Sequence, residues 1–220
     1  PMIAPGKLID FKARKVNYAS FKDISKKADE LAKIYGDMNW FEGVVLAAKD
    51  GEPFYEKAFG YADRENKIKN TTQTKFRIGS INKSFTMTLI MQMAEKGRLS
   101  YEDKLAKFDL GFPEKTASKV TVRDLLNHTS GFGDIFIPEY TNNIRTYKNI
   151  DDIMPLLKDE PLMFKPGTDE QYSNYNYIVL GAILEKITGK SFGETLQKNI
   201  LDKIGMKNTH YNIAENIEGE

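Results

Sequence analysis

The sequence predicts an α/β fold, α+β in type, in which an antiparallel sheet is flanked by helices and followed by an all-helical lobe. An amphipathic helical pattern precedes a strong β-hairpin signal at Asp50-Gly51. An apolar helical run then follows a turn at Gly79. After Gly97 the pattern becomes mostly helical with long loops, and this order favours a sheet covered by helices.

Composition excludes several classes of function. The 220 residues carry a formal net charge of +1 and a pI of about 8.2, so neither nucleic acid nor an acidic membrane surface is expected as a partner. Cysteine is absent, which excludes disulfides, thiol nucleophiles and thiolate metal sites, and two histidines do not favour a histidine metal site. We expect no metal and no cofactor. No apolar run approaches the length that spans a bilayer.

The first part of the chain predicts an arm, a helix and a hairpin. Residues 1–19 show no hydrophobic periodicity and are predicted to form an N-terminal arm. The first residues resemble a processed end, so the sequence does not exclude a signal segment that has been removed. Apolar residues at helical spacing from Phe21 to Ile34 predict a helix that ends near Gly36. Beyond it we predict, in order, strands at 41–49 and 52–59 and a surface loop at 64–75.

The stretch 76–86 carries the candidate chemistry. It predicts the end of an extended segment, a turn at Gly79 and the start of a helix that is apolar on nearly every face and therefore buried. Ser80 and Lys83 lie three positions apart at the mouth of this helix, so their side chains can meet. A lysine partly withdrawn from water can spend time neutral, which would place a base beside a nucleophile. In the alternative interpretation, Ser80 only caps the helix and Lys83 is solvated.

The second part of the chain predicts helices separated by loops. The segments 121–124 and 191–194 have the spacing of capping boxes. A short helix at 151–158 is predicted to kink at Pro155, and a longer helix is predicted to begin after the Tyr-Ser-Asn segment at 172–174. We predict three regions: an N-terminal arm at 1–19, the N-terminal part of the sheet lobe with the Ser80 helix at 20–96, and the helical lobe at 97–220.

Three separated segments follow the motif order of one known family. They are Ser-x-x-Lys at 80–83, Leu-Leu-Asn-His-Thr-Ser-Gly at 125–131, and Tyr-Ser-Asn at 172–174 ahead of a helix that contains Leu-Gly. In this order they resemble the serine beta-lactamase and penicillin-binding-protein superfamily, in the branch of class C beta-lactamases, D-alanyl-D-alanine carboxypeptidases and related esterases. The resemblance covers residues 20–210 and implies a beta-lactamase/transpeptidase-like fold.

The resemblance implies an acyl-serine mechanism and assigns roles to four side chains. Ser80 Oγ attacks an amide or ester carbonyl, and water later cleaves the acyl-enzyme. Lys83 and Tyr172 share the proton transfer, and which of them accepts the proton stays open. Asn174 holds Lys83 and donates to the substrate carbonyl, while the Ser80 N–H forms one arm of the oxyanion hole. Without the family, Tyr172 reads as a buried loop aromatic and Asn174 as a helix N-cap.

The histidines and the neighbouring tyrosines are not assigned to the chemistry. No acid at a motif spacing accompanies His128, and the resemblance treats its segment as architecture, so we predict a turn whose polar side chains bond the backbone. His210 is predicted to lie at the surface. Tyr175 and Tyr177 are predicted to pack within the protein.

The family's third motif, Lys-Thr-Gly or a variant of it, is not found. Lys115-Thr116-Ala117 lacks the glycine, and Thr188-Gly189 closes a predicted helix. We expect the C-terminal strands of the fold to be absent from this chain because it is truncated, cleaved or split. A two-stranded hairpin is marginal alone, so its open edge is expected to pair with a separate C-terminal piece of the same protein or with a second copy. The 220-residue chain alone is expected to be poorly active or unstable.

The leading hypothesis is a serine hydrolase that acts on a beta-lactam, a D-alanyl peptide or an ester, all of them small-molecule or peptide substrates. The alternative is a penicillin-binding sensor that is acylated at Ser80 without turnover. A third hypothesis is a noncatalytic scaffold. The presence of Ser80, Lys83 and Tyr172 together argues against it. Members of the family usually work outside the cytoplasm, so the resemblance implies an extracytoplasmic protein that is periplasmic, secreted or membrane-anchored.

Overall fold

The computed structural model describes residues 20–211, whose contacts divide the chain into one compact unit up to Lys75 and a second from Phe76. The helix after Ser80 belongs to the second unit by its contacts, although we predicted it as part of a sheet lobe at 20–96. The predicted arm at 1–19 lies outside the described residues. None of the helices within residues 20–211 has both the length and the apolar character that a membrane span requires.

The first unit contains one long helix and two hairpins. The helix is capped by Ser20, whose hydroxyl accepts from the Asp23 N–H at 3.3 Å and donates to the Asp23 carboxylate at 2.7 Å. The predicted helix is confirmed, and it ends one residue after Gly36. The elements are, in order, α1 (Phe21–Asp37), β1 (Gly43–Lys49), β2 (Glu52–Phe59), β3 (Tyr61–Asp63) and β4 (Ile68–Lys69).

Strands β1 and β2 form the antiparallel hairpin that the sequence predicts. Asp50 and Gly51 have φ angles of 52° and 84°, the left-handed values that a type I′ turn needs at both central residues. The register pairs Gly43 with Phe59 and contains one bulge near Pro53. In the part of the chain that the structure describes, this sheet has two strands, so the expected pairing of its edge with further chain stays a prediction.

The predicted loop at 64–75 is wrong in part, because β4 lies inside it and pairs with β3. The turn between these strands is held by Asp63, whose carboxylate accepts from the Asn66 N–H at 3.0 Å and from Asn66 Nδ2 at 2.6 Å. Side chains of this type stabilise turns through local hydrogen bonds. Apolar and polar residues do not alternate along β3 and β4, so the sequence pattern does not predict these strands.

The second unit begins with a 3-10 turn at Gly79–Asn82 that leads into α2 (Lys83–Glu95). Leu89 and Ile90 are fully buried, but Met87 and Met91 are 41% and 46% exposed. The prediction of a helix buried on nearly every face is therefore wrong. Apolar residues occur on both sides of α2, and their pattern alone does not decide which side the protein covers.

Short helices and loops follow α2, and the predicted capping boxes at 121–124 and 191–194 are both present. The predicted kink is also confirmed, because the chain breaks at Pro155 into two helices. A 3-10 turn at Leu105–Phe108 and a π-helical turn at Gln197–Leu201 complete the unit. The helices are α3 (Glu114–Ala117), α4 (Val122–Leu126), α5 (Pro138–Asn142), α6 (Ile150–Ile153), α7 (Pro155–Lys158), α8 (Asn174–Thr188), α9 (Phe192–Leu196) and α10 (Asp202–Ile204).

Helix α8 is the centre of the second unit, and it contacts α2, α4, α6 and α9. Tyr175, Val179 and Ile183 are fully buried along it. At Gly181 the neighbouring α6 approaches so closely that an added Cβ would lie 2.7 Å from Ile150 Cδ1. This packing fixes α8 against α2 and thereby brings the N-terminus of α8 to the N-terminus of α2, where the candidate residues lie.

Candidate active site

Ser80 and Lys83 lie at the N-terminal end of α2, and the structure brings their side chains together. Gly79 has a φ of 50°, a left-handed angle that glycine adopts without strain and that turns the chain sharply before Ser80. Lys83 is the first residue of α2, and its Nζ donates to Ser80 Oγ at 3.2 Å. Ser80 is exposed and Lys83 half-buried, so a substrate can reach the hydroxyl while the amine is partly withdrawn from water.

Tyr172 reaches this pair from the segment before α8, 92 positions along the chain. Its OH lies 2.8 Å from Ser80 Oγ, and Lys83 Nζ lies 5.0 Å from the centre of its ring. The hydrogen bond from Lys83, followed by that from Ser80, lowers the pKa of the Tyr172 phenol below its usual value. The expectation of a buried loop aromatic is wrong, since Tyr172 is 46% exposed.

Asn174 completes the cluster through its amide oxygen, which accepts from Lys83 Nζ at 2.6 Å. The interpretation of Asn174 as the helix N-cap is wrong, because Ser173 holds that position and Asn174 is the first helical residue. The Ser173 hydroxyl donates to the Gly133 carbonyl at 2.8 Å and makes no capping bond. Asn174 is consequently free of a capping role, and its side chain faces Lys83.

His128 holds the backbone on both sides of Tyr172. Its carbonyl accepts from the Gln171 N–H at 2.9 Å, and its Nδ1 accepts from the Ser173 N–H at 3.1 Å. The His128 ring lies 4.5 Å from the Tyr172 ring, measured between centroids. This confirms the prediction of a turn whose polar side chains bond the backbone, and it explains how Tyr172 is aimed at Ser80.

The His128 ring is neutral in this arrangement. A backbone N–H can only donate, so Nδ1 carries a lone pair and the ring proton lies on Nε2. Burial, followed by the positive charge of Lys83, lowers the pKa of His128, while the carboxylates of Glu170 and Asp134 act in the opposite direction.

Two residues of the site were not assigned to the chemistry from the sequence. Asp134 accepts from the Asn174 backbone N–H at 2.7 Å, and the Tyr177 ring centre lies 5.5 Å from Lys83 Nζ. Asp134 is a lone acid in a loop without periodicity, and Tyr177 reads as an ordinary apolar position of α8. Spacing from a motif residue would be the available signal for Tyr177, since it lies three positions after Asn174 on the same helix.

The remaining candidates lie elsewhere or serve the core. The Tyr175 hydroxyl is buried and donates to the Met154 carbonyl at 2.6 Å, which confirms its predicted packing role. His210 is exposed, as predicted. Lys115-Thr116-Ala117 forms the helix α3, so it is not a strand motif. Within residues 20–211 no group of three or more acidic or histidine side chains could hold a metal ion.

Comparison with known proteins identifies the family. The sequence model of the Beta-lactamase family matches residues 28–219. The chain belongs to this family. It is 36% identical to penicillin-binding protein 4* of Bacillus subtilis (strain 168) over 188 residues. This alignment covers 84% of this chain and 41% of that protein. The chain is 30% identical over 207 residues to teichoic acid D-alanine hydrolase of Staphylococcus aureus, with 93% of this chain and 50% of that protein covered.

A solved structure supports the same assignment. The penicillin-binding protein from Bacillus halodurans superposes with a TM-score of 0.75 at 31% identity, over 86% of this chain and 57% of that one. The predicted beta-lactamase/transpeptidase-like α/β fold and the resemblance to the serine beta-lactamase and penicillin-binding-protein superfamily are thereby confirmed. The chain spans about half the length of the curated relatives it matches.

Proposed function

We propose that this chain carries the nucleophile of a serine hydrolase that works through an acyl-enzyme, with Ser80, Lys83 and Tyr172 as its catalytic residues. One observation carries the proposal: Ser80 Oγ lies 2.8 Å from the Tyr172 OH and 3.2 Å from Lys83 Nζ. A hydroxyl within hydrogen-bond reach of both a phenol of lowered pKa and an amine is an activated nucleophile.

In the first step Ser80 Oγ forms a bond to the substrate carbonyl carbon and gives its proton to the Tyr172 phenolate. The short contact from Lys83 Nζ to Asn174 Oδ1, at 2.6 Å, favours Lys83 as the ammonium that stabilises that phenolate. When the tetrahedral intermediate collapses, the bond to the leaving amine or alkoxide breaks and the leaving group takes the proton from Tyr172.

In the second step water replaces the leaving group. Tyr172 takes a proton from the water, the water oxygen adds to the acyl carbon, and the bond from that carbon to Ser80 Oγ breaks. Ser80 recovers its proton from Tyr172, so the enzyme returns to its starting state. Asn174 holds Lys83 through its amide oxygen. Its predicted role in binding the substrate stays a prediction.

The substrate class follows from the reaction and from the relatives. Relatives named as a penicillin-binding protein and as a teichoic acid D-alanine hydrolase support beta-lactams and D-alanyl esters or peptides as substrates. The same names support action outside the cytoplasm. We place D-alanyl esters and simple activated esters first, because an ester carbonyl needs less activation than an amide.

The test is covalent labelling of Ser80. The chain is incubated with a fluorescent penicillin or with p-nitrophenyl acetate, and intact mass is followed over time in the protein, in Ser80→Ala and in a control, Ser84→Ala, on the same helix. We expect an acyl adduct that appears slowly, because the chain alone is expected to be poorly active, and then decays in the protein and in the control. The adduct should be absent from Ser80→Ala. An adduct that persists would instead indicate a sensor, and labelling that survives Ser80→Ala would refute the proposal.

A further inference from the structure

Asp134 is an acidic side chain that contacts Asn174 at two points. Its Oδ1 accepts from the Asn174 backbone N–H at 2.7 Å, and both carboxylate oxygens lie 3.1 Å from Asn174 Nδ2. Oδ1 also accepts from the N–H of Ile135 at 2.8 Å. The carboxylate is half-buried and held by three donor groups, so its position is well defined.

These contacts decide which way the Asn174 amide points. A carboxylate only accepts hydrogen bonds, so the amide NH2 group must face Asp134 and the amide oxygen must face away from it. That oxygen is the acceptor for Lys83 Nζ at 2.6 Å. With the amide turned over, an NH2 group would face the ammonium of Lys83, and two donors form no hydrogen bond.

We propose that Asp134 is a positioning residue, which sets the orientation of Asn174 and through it holds Lys83 against Ser80. The contacts form one line from Asp134 to Asn174, from Asn174 to Lys83 and from Lys83 to Ser80. Asp134 is not itself in contact with Ser80 in any of the described hydrogen bonds. Its effect on catalysis rests on the proposed function, whereas its effect on the Asn174–Lys83 contact does not.

A purely structural role for Asp134 would be to stabilise α8. Asp134 lies at the N-terminus of α8, where Ser173 makes no capping bond, and a negative charge there stabilises a helix. An asparagine at position 134 would retain an oxygen that caps the Asn174 N–H. It would replace the other oxygen, one of the two acceptors of the Asn174 NH2 group, with an NH2 group, so that two donors face each other. This conflict is relieved when the Asn174 amide turns away from Lys83.

The experiment is a double-mutant cycle on acylation of Ser80 by p-nitrophenyl acetate. We expect Asp134→Asn to slow acylation about 10²-fold, the loss that follows from misplacing a reacting group by about 1 Å. In the Asn174→Ala background the same substitution should change the rate by about twofold or less, the range within which independent effects agree. A matched control, Asp151→Asn, replaces an exposed acid of the same unit and should leave the rate unchanged.

Two results would overturn the inference: an Asp134→Asn variant as fast as the protein itself, or effects of Asp134→Asn and Asn174→Ala that multiply. If Ser80 is not acylated at all, the proposed function fails and the inference is decided by urea unfolding. Asp134→Asn and Lys83→Met should then show a coupling of about threefold or more in the unfolding equilibrium constant. Independent effects in that cycle would refute the positioning role.

Discussion

Replacing Lys83 with methionine tests the core of the site, because methionine keeps an unbranched side chain and removes the ammonium. Lys83 Nζ makes hydrogen bonds to Asn174 Oδ1 at 2.6 Å and to Ser80 Oγ at 3.2 Å. It is also the largest cause of the lowered pKa of Tyr172. In the variant the pKa of the phenol returns toward its usual value near 10, where about one part in a thousand is ionised at pH 7.

The size of the effect follows from the loss of general-base assistance, which is worth about 10²–10⁴-fold in rate. We therefore expect acylation of Lys83→Met at pH 7 to fall by about 10³-fold, or about 4 kcal/mol in activation free energy. Because the pKa of the phenol then lies closer to its usual value, the residual rate should rise with pH between about pH 6 and 10.

The assay is release of p-nitrophenol from p-nitrophenyl acetate between pH 6 and 10, with Lys96→Met, an exposed lysine just after the same helix, as control. The pKa of Tyr172 is read in parallel by NMR of ring-labelled tyrosine. A Lys83→Met variant that acylates within about tenfold of the parent at pH 7, with an unshifted Tyr172, would refute this account of Ser80 activation.

Three further predictions concern the scaffold around the site. Burial lowers the pKa of His128 below 6.5, so the unfolded chain binds more protons than the folded one. The stability that His128 contributes is therefore full above about pH 6.5 and is lost as the pH falls toward the folded-state pKa. Urea unfolding at several pH values should show this loss, and His128→Gln should remove it. Gly131→Ala should lower the free energy of unfolding by about 2–5 kcal/mol, because φ is 82° and the new Cβ would lie 2.4 Å from the Phe164 carbonyl oxygen; thermal unfolding measures this. Tyr175→Phe should cost about 1–3 kcal/mol in urea unfolding, since it leaves the buried Met154 carbonyl without its donor.

The two predictions for Gly131 and Tyr175 each have a matched control in the same unit. Gly133→Ala adds a methyl group with no atom within 4 Å and should be tolerated where Gly131→Ala is not. Tyr147→Phe removes a hydroxyl whose bond to the Glu139 carbonyl is long, at 3.4 Å, and open to solvent, so it should cost less than Tyr175→Phe. Equal losses in either pair, or an acid transition that His128→Gln leaves unchanged, would contradict the structural argument.

The sequence predicts those parts of the fold that depend on strong local signals. The β1–β2 hairpin follows from Asp50-Gly51, whose positive φ angles few other residues adopt so readily. The C-terminal end of α8 is also predicted, because Gly189 closes it in the left-handed conformation. The hairpin of β3 and β4 was not predicted, because its turn is held by hydrogen bonds that the Asp63 carboxylate accepts from Asn66. A run of polar residues gives no sign of such bonds.

The residues of the candidate site also divide into those that the sequence predicts and those that it does not. Ser80 and Lys83 are visible because helical spacing places both on one face, and Tyr172 and Asn174 because they form a motif with Ser173. Their mutual distances depend on the packing of α8 against α2, which no local pattern contains. Asp134 could not be found from the sequence, since a contact made across 40 positions by a single loop acid leaves no period.

The separation of 92 positions between Ser80 and Tyr172 has a practical consequence. A nascent or proteolysed polypeptide that contains Ser80 and Lys83 but lacks Tyr172 has no phenol to take the proton of Ser80. A fluorescent acyl group attached to Ser80 would therefore mark molecules in which the two helix ends have already met. On the proposed chemistry, labelling intensity would serve as a readout of correct folding in crude extracts, without purification.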